Sequence, residues 1–329
     1  MAHEITTTDN LFSVRQATWH GLGAILPEHP TREEAQQLAH PWEPVTMPLY
    51  SAEPHISSTG DLTTRYVEVD SHKAIQRSDN GATLGVVGKG YEPVTNTELW
   101  DIAEAIQGDH SDVKFETAGS LAGGAKVWVL IRLEEPLKIA GDPHGDTIPY
   151  YALQNSHDRS GSFRGQATMT RIVCANTSQM ADLDAQQRGT EFSFRHTKNI
   201  GQRIEEARQA LAGWRESLDT WQAMQRHLLT VEMSHDDTLA FLDRWLPIPE
   251  AGLTSERVRE NAANARADWF GALNSVTCEG IESTAYGVLQ ASIEYAEHLR
   301  TARTQESRFK RSYLDRSDVV QHAAELLTA

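Results

Sequence analysis

Positive charge is what this chain has little of. Thirty lysines and arginines stand against 46 aspartates and glutamates in 329 residues, a formal net charge of −16. Such a chain does not hold duplex DNA by bulk electrostatics, because that kind of binding neutralises phosphates and releases their counterions. Cysteine is nearly absent. Cys174 and Cys278 are far apart and outside any Cys-x-x-Cys spacing, which excludes a disulfide framework and leaves two reduced structural thiols as the expectation. Long hydrophobic runs are missing too. No stretch of eighteen apolar residues occurs, and MAHEITTTDN lacks the basic and apolar regions of a signal peptide. The expectation is a cytoplasmic chain with no membrane contact.

What is present suits a folded body. Hydrophobic residues make up 39% and charged residues 23%, and the length allows one large or two ordinary domains with a sizeable core. The first sixty residues read as irregular, apart from TREEAQQLAH, a short helix with Thr31 as N-cap and acids in its first turn. Strand candidates follow at 63–70 and 81–94, joined by a loop containing Asp79-Asn80-Gly81. Asn96 or Thr97 is expected to cap the helix TELWDIAEAIQGD, with Leu99, Ile102 and Ile106 on one face. VKFETAG (113–119) and AKVWVLIRL (125–133) read as strands, joined by SLAGG, whose glycines supply the positive φ of a tight hairpin. IPYYALQN and GQATMTRIV complete the sheet, and Asn176-Thr177 is expected to start another helix. The order β-β-α-β-β-β-β-α implies an α+β domain on a mostly antiparallel sheet over residues 1–197.

Residues 198–329 read as helical throughout. Ile200, Ile204, Ala207, Leu211, Trp214, Leu218, Trp221 and Leu228 follow near-heptad spacing, with Gln225 the one break. That seam packs either on helices of the same chain or on another subunit. Further helices are expected at 234–246, 254–275, 280–303 and 316–327.

Enzyme motifs fail. GVVGKGY has Gly90 where a phosphate loop needs a magnesium-binding hydroxyl, and GSLAGGAKV has valine after its lysine. There is no HExxH, no His/Cys zinc spacing and no GxSxG. The 14 histidines are scattered. Ser156-His157-Asp158 has the letters of a triad, but contiguous side chains diverge and do not relay a proton in order.

Two stretches depart from the acidic average. In NSHDRSGSFRGQATMTRIVCAN (155–176), Arg159 and Arg164 flank Gly161 in a solvated turn with Arg171 on the strand behind, and guanidinium groups hold phosphate bidentately. Between residues 155 and 200, six cations face four carboxylates. Asn155 and His157 add neutral hydrogen bonds, and Tyr150, Tyr151 and Phe163 offer rings. The bland alternative is a polar hairpin whose arginines form ordinary salt bridges. In RTARTQESRFKRSYLDR (300–316), six cations including Arg308, Lys310 and Arg311 face two carboxylates, with Phe309 and Tyr313 interleaved. That stretch is either a nucleic-acid contact or a solvated loop between helices.

The chain resembles the phage/plasmid-like protein family called domain of unknown function 932. The resemblance rests on WHGLG (19–23), YEPVTN (91–96), ETAGSLAGGAKVW (116–128), NSHDRSGSFRGQATMTRIVCANT (155–177), FSFRHTKN (192–199) and STAYGVLQASIEYAEH (283–298). It implies a phage, prophage or plasmid context and little chemistry. The strand and helix order is also similar to the core of single-strand annealing proteins of the Red-beta/RecT type, where a curved sheet and a long helix line a basic groove in an oligomer.

The expectation is therefore a protein that binds or anneals single-stranded DNA in recombination or replication, as a homo-oligomer and without a cofactor. Lys89, Lys126, Arg159, Arg164 and Arg171 would hold phosphates, and Tyr91, Trp128 and Phe163 would stack on bases. Two rivals stand beside it. One is an acidic interaction protein that binds a host or phage replication factor through its helical half. The other is a metal-dependent nucleic-acid enzyme using His157, Asp158 and a distant carboxylate.

Overall fold

The computed structural model describes residues 10–15, 23–56, 58–107, 112–171, 176–179, 191–194, 218–300 and 318–328. In chain order the N-terminal elements are β1 (Leu11–Val14), β2 (Ala24–Leu26), α1 (Arg32–Ala39), β3 (Pro44–Ile56), β4 (Leu62–Arg77), β5 (Thr83–Gly88) and α2 (Asn96–Gln107). The central strands are β6 (Val113–Leu121), β7 (Lys126–Leu133), β8 (Leu137–Lys138), β9 (Asp146–Ser156), β10 (Phe163–Arg171), β11 (Asn176–Gln179) and β12 (Glu191–Phe194). Helices α3 (218–230), α4 (His235–Trp245), α5 (Glu256–Leu273), α6 (Ala285–Glu294) and α7 (Asp318–Thr328) follow. The architecture is α+β: a strand-rich N-terminal half with antiparallel sheets, then helices.

The main sheet runs β11-β10-β9-β7-β6-β1-β2, with β12 also on β10 and β8 also on β9. All its pairings are antiparallel except β1 with β2. Alternate residues of the central strands point to one face. There Val127, Val129, Ile131, Tyr151, Leu153 and Phe163 meet Leu99, Trp100 and Ile102 of α2 and Ala35 of α1 in one core. Leu218 and Trp221 of α3 join this core and Leu228 joins the helical one, so the described part of the heptad seam packs within the chain. Its residues before 218 lie outside the described ones. The helical core gathers Phe241, Leu242, Trp245, Trp269, Tyr286 and Leu289 around Cys278, a buried free thiol; Cys174 is outside the described residues. Among the described residues, no helix is long and apolar enough to cross a membrane.

Three expectations change. The segment 40–60 is not irregular: it holds β3, whose Pro44, Pro48 and Pro54 obscure the strand pattern and suit the outer position that it takes in a sheet β3-β4-β5. Asn176-Thr177 opens β11, not a helix, because its backbone pairs with Arg171 and Thr170 at the rim of β10. The cap of α2 is Thr95, one residue before the expected pair. The Thr95 hydroxyl accepts from the Glu98 N–H (3.1 Å) and the Glu98 carboxylate accepts from the Thr95 N–H (2.7 Å). Glu43 adds a carboxylate at the same helix end, accepting from the N–H groups of Asn96 (2.7 Å) and Thr97 (2.9 Å). Thr31 caps α1 as expected, in a capping box with Glu34.

Beyond residue 50, β3 and β4 leave the body as a two-stranded arm. Its register sets Tyr50, Ala52, Pro54 and Ile56 opposite Glu68, Tyr66, Thr64 and Leu62, so one face is a largely apolar strip. Tyr50 is 52% exposed, Tyr66 70%, Ile56 69% and Leu62 77%.

Beneath the main sheet, His40 is fully enclosed. Its Nδ1 accepts from the Trp100 indole (3.0 Å), so its Nε2–H donates to the Gly119 carbonyl (2.8 Å). Burial, with the Arg77 charge adding to it, pushes its pKa down from 6.5 to about 4. The unfolded chain then binds more protons than the folded one between those values, and stability drops as pH falls through that window. Urea unfolding is expected to show a His40 contribution on the order of 3 kcal/mol present above pH 6.5 and lost toward pH 4. A His40→Gln variant should show a correspondingly shallower pH dependence between pH 5 and 7.

Candidate nucleic-acid interface

The segments YEPVTN and NSH, distant in sequence, are stapled together by buried hydrogen bonds. The Tyr91 hydroxyl donates to the Ser156 carbonyl (2.9 Å), and the Asn155 amide donates to the Val94 carbonyl (2.9 Å). Asn96 completes the staple: its Nδ2 donates to the Trp42 carbonyl (2.7 Å) and its Oδ1 lies 3.1 Å from His157 Nε2. An amide oxygen only accepts, so His157 carries its proton on Nε2. The Trp42 and His157 rings meet edge to face, and the His157 backbone N–H donates to the Ala125 carbonyl (2.8 Å). Trp42 in turn lies under the Arg77 guanidinium, 4.4 Å from its ring centre. Gly124, at φ +101°, leaves room for this indole, since a Cβ there would come within 2.6 Å of it.

These bonds reassign several residues. Asn155 and His157 were expected to reach phosphate or bases, but they are 3% and 0% exposed and serve the staple. Trp128 (2%) and Phe163 (0%) are buried rings that no base reaches without opening the core. Tyr91 is half-buried, and burial first, then the Asp158 charge, raises its pKa, so its hydroxyl stays a neutral donor to Ser156. Among the described residues, the exposed tyrosine, phenylalanine and tryptophan rings are Tyr50 and Tyr66 on the arm. The alternation in TTRYVEVD marked Tyr66 as a strand residue; the pairing with β3 that puts the two rings on one face had no local signal.

The cations fare differently. Lys126 and Arg164 both line a cleft of about 390 Å³ at the end of β7, β9 and β10. They occupy the same sheet face, Lys126 opposite Ser156 and Arg164 opposite Gln154. The Gln154 amide oxygen holds the Arg164 guanidinium at 3.1 Å. The 158–162 loop roofs this end: Asp158 accepts from the Ser160 N–H (2.9 Å), and the Ser156 hydroxyl accepts from the Gly161 N–H (2.9 Å) while donating to its carbonyl (2.7 Å). Gly85 of β5 approaches the Asp158 backbone so closely that a Cβ would come within 2.7 Å. Arg159 is exposed at φ +67°, in the left-handed region, and Lys89 is exposed in the turn after β5. Arg171 sits at the far end of β10, opposite Thr147, about 23 Å along the strand from Arg164. The three arginines therefore do not form one grip. The Arg171 side chain, Arg308, Lys310 and Arg311 lie outside the described residues.

His157 and Asp158 do not share a site, because one ring turns into the staple and the other carboxylate closes the loop. Among the described residues, no three His, Cys, Asp or Glu side chains converge as metal ligands.

The staple and the cleft should separate in mutagenesis. Asn96→Ala removes the amide that serves both the Trp42 carbonyl and His157 Nε2 and is expected to cost about 2–5 kcal/mol in urea unfolding. Arg164→Gln, on the cleft wall, should change stability by less than about 0.5 kcal/mol. Equal losses from both would show that the cleft wall is structural.

No curated protein and no solved structure matches the chain. The family model described as domain of unknown function (DUF932) matches residues 83–316, a span that contains both stapled segments and the cleft, and the chain belongs to that family.

Proposed function

We propose that this protein binds single-stranded DNA of a phage or plasmid during recombination or replication, without a nucleotide cofactor. The observation that carries the reading is the convergence of Lys126 and Arg164 on one polar cleft of an otherwise acidic chain. A groove needs local charge only, and the excess of carboxylates elsewhere disfavours wrapping by duplex. Arg159, next in the chain to Ser160 of the cleft lining, extends the cation set. Cations hold the backbone here, and the buried rings take no part.

Binding of a labelled oligonucleotide, followed by anisotropy while salt is raised, tests this. Affinity is expected to fall linearly on logarithmic axes, and the Lys126→Gln/Arg164→Gln pair should lower the slope by about 1.4, or 0.7 for each lost phosphate contact. Arg159→Gly should weaken binding without unfolding the turn, because glycine adopts that backbone conformation freely. An unchanged slope in the folded double variant would overturn the assignment. Strand cleavage that requires Mg²⁺ or Mn²⁺ would move the protein to the metal-dependent class instead.

The proposal includes self-association through the arm. Among the described residues, Leu62–Asp70 of β4 has no strand on its outer side, since β5 begins pairing at His72. That edge has no proline, unlike β3, and is open to another strand. Antiparallel pairing with a second copy, centred on Tyr66, would set the two Tyr66 rings side by side, Arg65 opposite Val67 and Thr64 opposite Glu68. No like charges oppose one another in that register. Light scattering is expected to give a mass above the monomer, and Tyr66→Pro, which cannot join a ladder, should reduce it with the body still folded. A monomeric wild type, or a variant of unchanged mass, would refute the arm contact.

A further inference from the structure

On the arm built from the outer parts of β3 and β4, register and alternation divide the side chains into two unlike faces. One is the apolar strip, which ends toward the body at Tyr50 and Glu68; the other sets Glu53 opposite Arg65 and His55 opposite Thr63. Such a split is the pattern of an antiparallel sheet with one covered and one solvated face. Yet Tyr50, Tyr66, Ile56 and Leu62 are each more than half exposed. Together they leave an apolar area on the order of 500 Å² open, a size at which a surface patch marks a contact site. Two strands alone are marginal in water, and a helix packed on their apolar face is one way to secure them.

We propose that this strip is the docking surface for a basic amphipathic helix of a partner protein. Charge selects the partner. Between residues 50 and 70 the chain has four carboxylates, Glu53, Asp61, Glu68 and Asp70, against one arginine, Arg65. Arg65 belongs to the polar face, whereas Glu68 stands on the strip itself, opposite Tyr50. Phosphate backbones and anionic lipid surfaces are repelled by such an arm, and lysines or arginines beside an apolar stripe complement it. A second copy of the strip is a poorer occupant, since it brings its own Glu68 to an acidic face. Length selects a helix. The six residue steps from Tyr50 to Ile56 span about 20 Å, which is the length of roughly 14 helical residues. A helix on this face also leaves the outer edge of β4 free to pair with a second copy.

Anisotropy of labelled synthetic peptides, each about 14 residues long to match the strip, tests this. One is a leucine–lysine sequence with helical spacing, one its leucine–glutamate counterpart, and one the leucine–lysine composition shuffled so that no apolar stripe forms. The patterned basic peptide is expected to bind, and the other two to bind at least about tenfold more weakly. Leu62→Ser with Tyr66→Ser should lower its affinity by about tenfold or more. Glu68→Lys should weaken binding and flatten its salt dependence, and both variants should keep the far-ultraviolet spectrum of the wild type. An oligonucleotide should not displace the peptide. Equal binding of the shuffled peptide, or full affinity in the double-serine variant, would assign the binding to bulk acidity and overturn the strip, as would no binding at all. Displacement by an oligonucleotide would give the arm to nucleic acid, and peptide binding seen only on dilution of the protein would give it to a second copy. Either outcome overturns the helix site. None of these outcomes bears on strand binding at the cleft.

Discussion

The amide of Asn96 is the point on which the cleft end of this molecule depends. One side chain donates to the Trp42 carbonyl and accepts from the His157 ring, all within the protein interior. A buried amide in a low-dielectric surrounding has to find partners for both of its ends. Satisfying it ties three pieces of chain together: the segment entering β3, the first turn of α2 and the loop leaving β9. The Thr95–Glu98 box and the Glu43 carboxylate secure the same helix end from outside. Cleft residues on β9 and in the 158–162 loop inherit their positions from this junction.

The staple also accounts for which polar residues of the 155–158 stretch are withdrawn from the cleft. The polar residues of the 155–158 stretch turn inward or bond their own backbone, and Lys126 and Arg164 line the cleft from the same sheet face. Asp158, the nearest acid in sequence, is used by the Ser160 N–H. Net charge describes the solution behaviour of the whole surface, whereas an anion a few ångströms away responds to the groups around it.

The arm presents another contrast. Ribbons of two strands are marginal in water without a third strand or a covering layer. Here β5 covers only the part nearest the body, and the distal part keeps an apolar strip exposed. Pro54 guards the β3 side of the arm against further pairing, while among the described residues the β4 side of the arm has no strand beside it.

Much of the fold was legible because its signals are local. Thr31 with Glu34, the SLAGG turn and the apolar, β-branched run in AKVWVLIRL each act within a few residues, and each formed what its pattern implies. Lys126 and Arg164 were likewise legible as candidate cations, and the fold brings both to one cleft. The fates of His157, Asn155, Trp128 and Phe163 were not. Whether a histidine faces solvent or an amide 61 positions away is settled by which segments pack together, and residue type carries no record of that. The same holds for Arg171, which shares a strand with Arg164 but not an end of it. β3 was hidden because proline breaks the local pattern, while a sheet edge tolerates it. Sequence determined the acidic balance, the α+β class and the supply of cations. Only tertiary packing decided which of those polar groups were spent on holding the chain together, because burial obliges each to take a partner inside the fold.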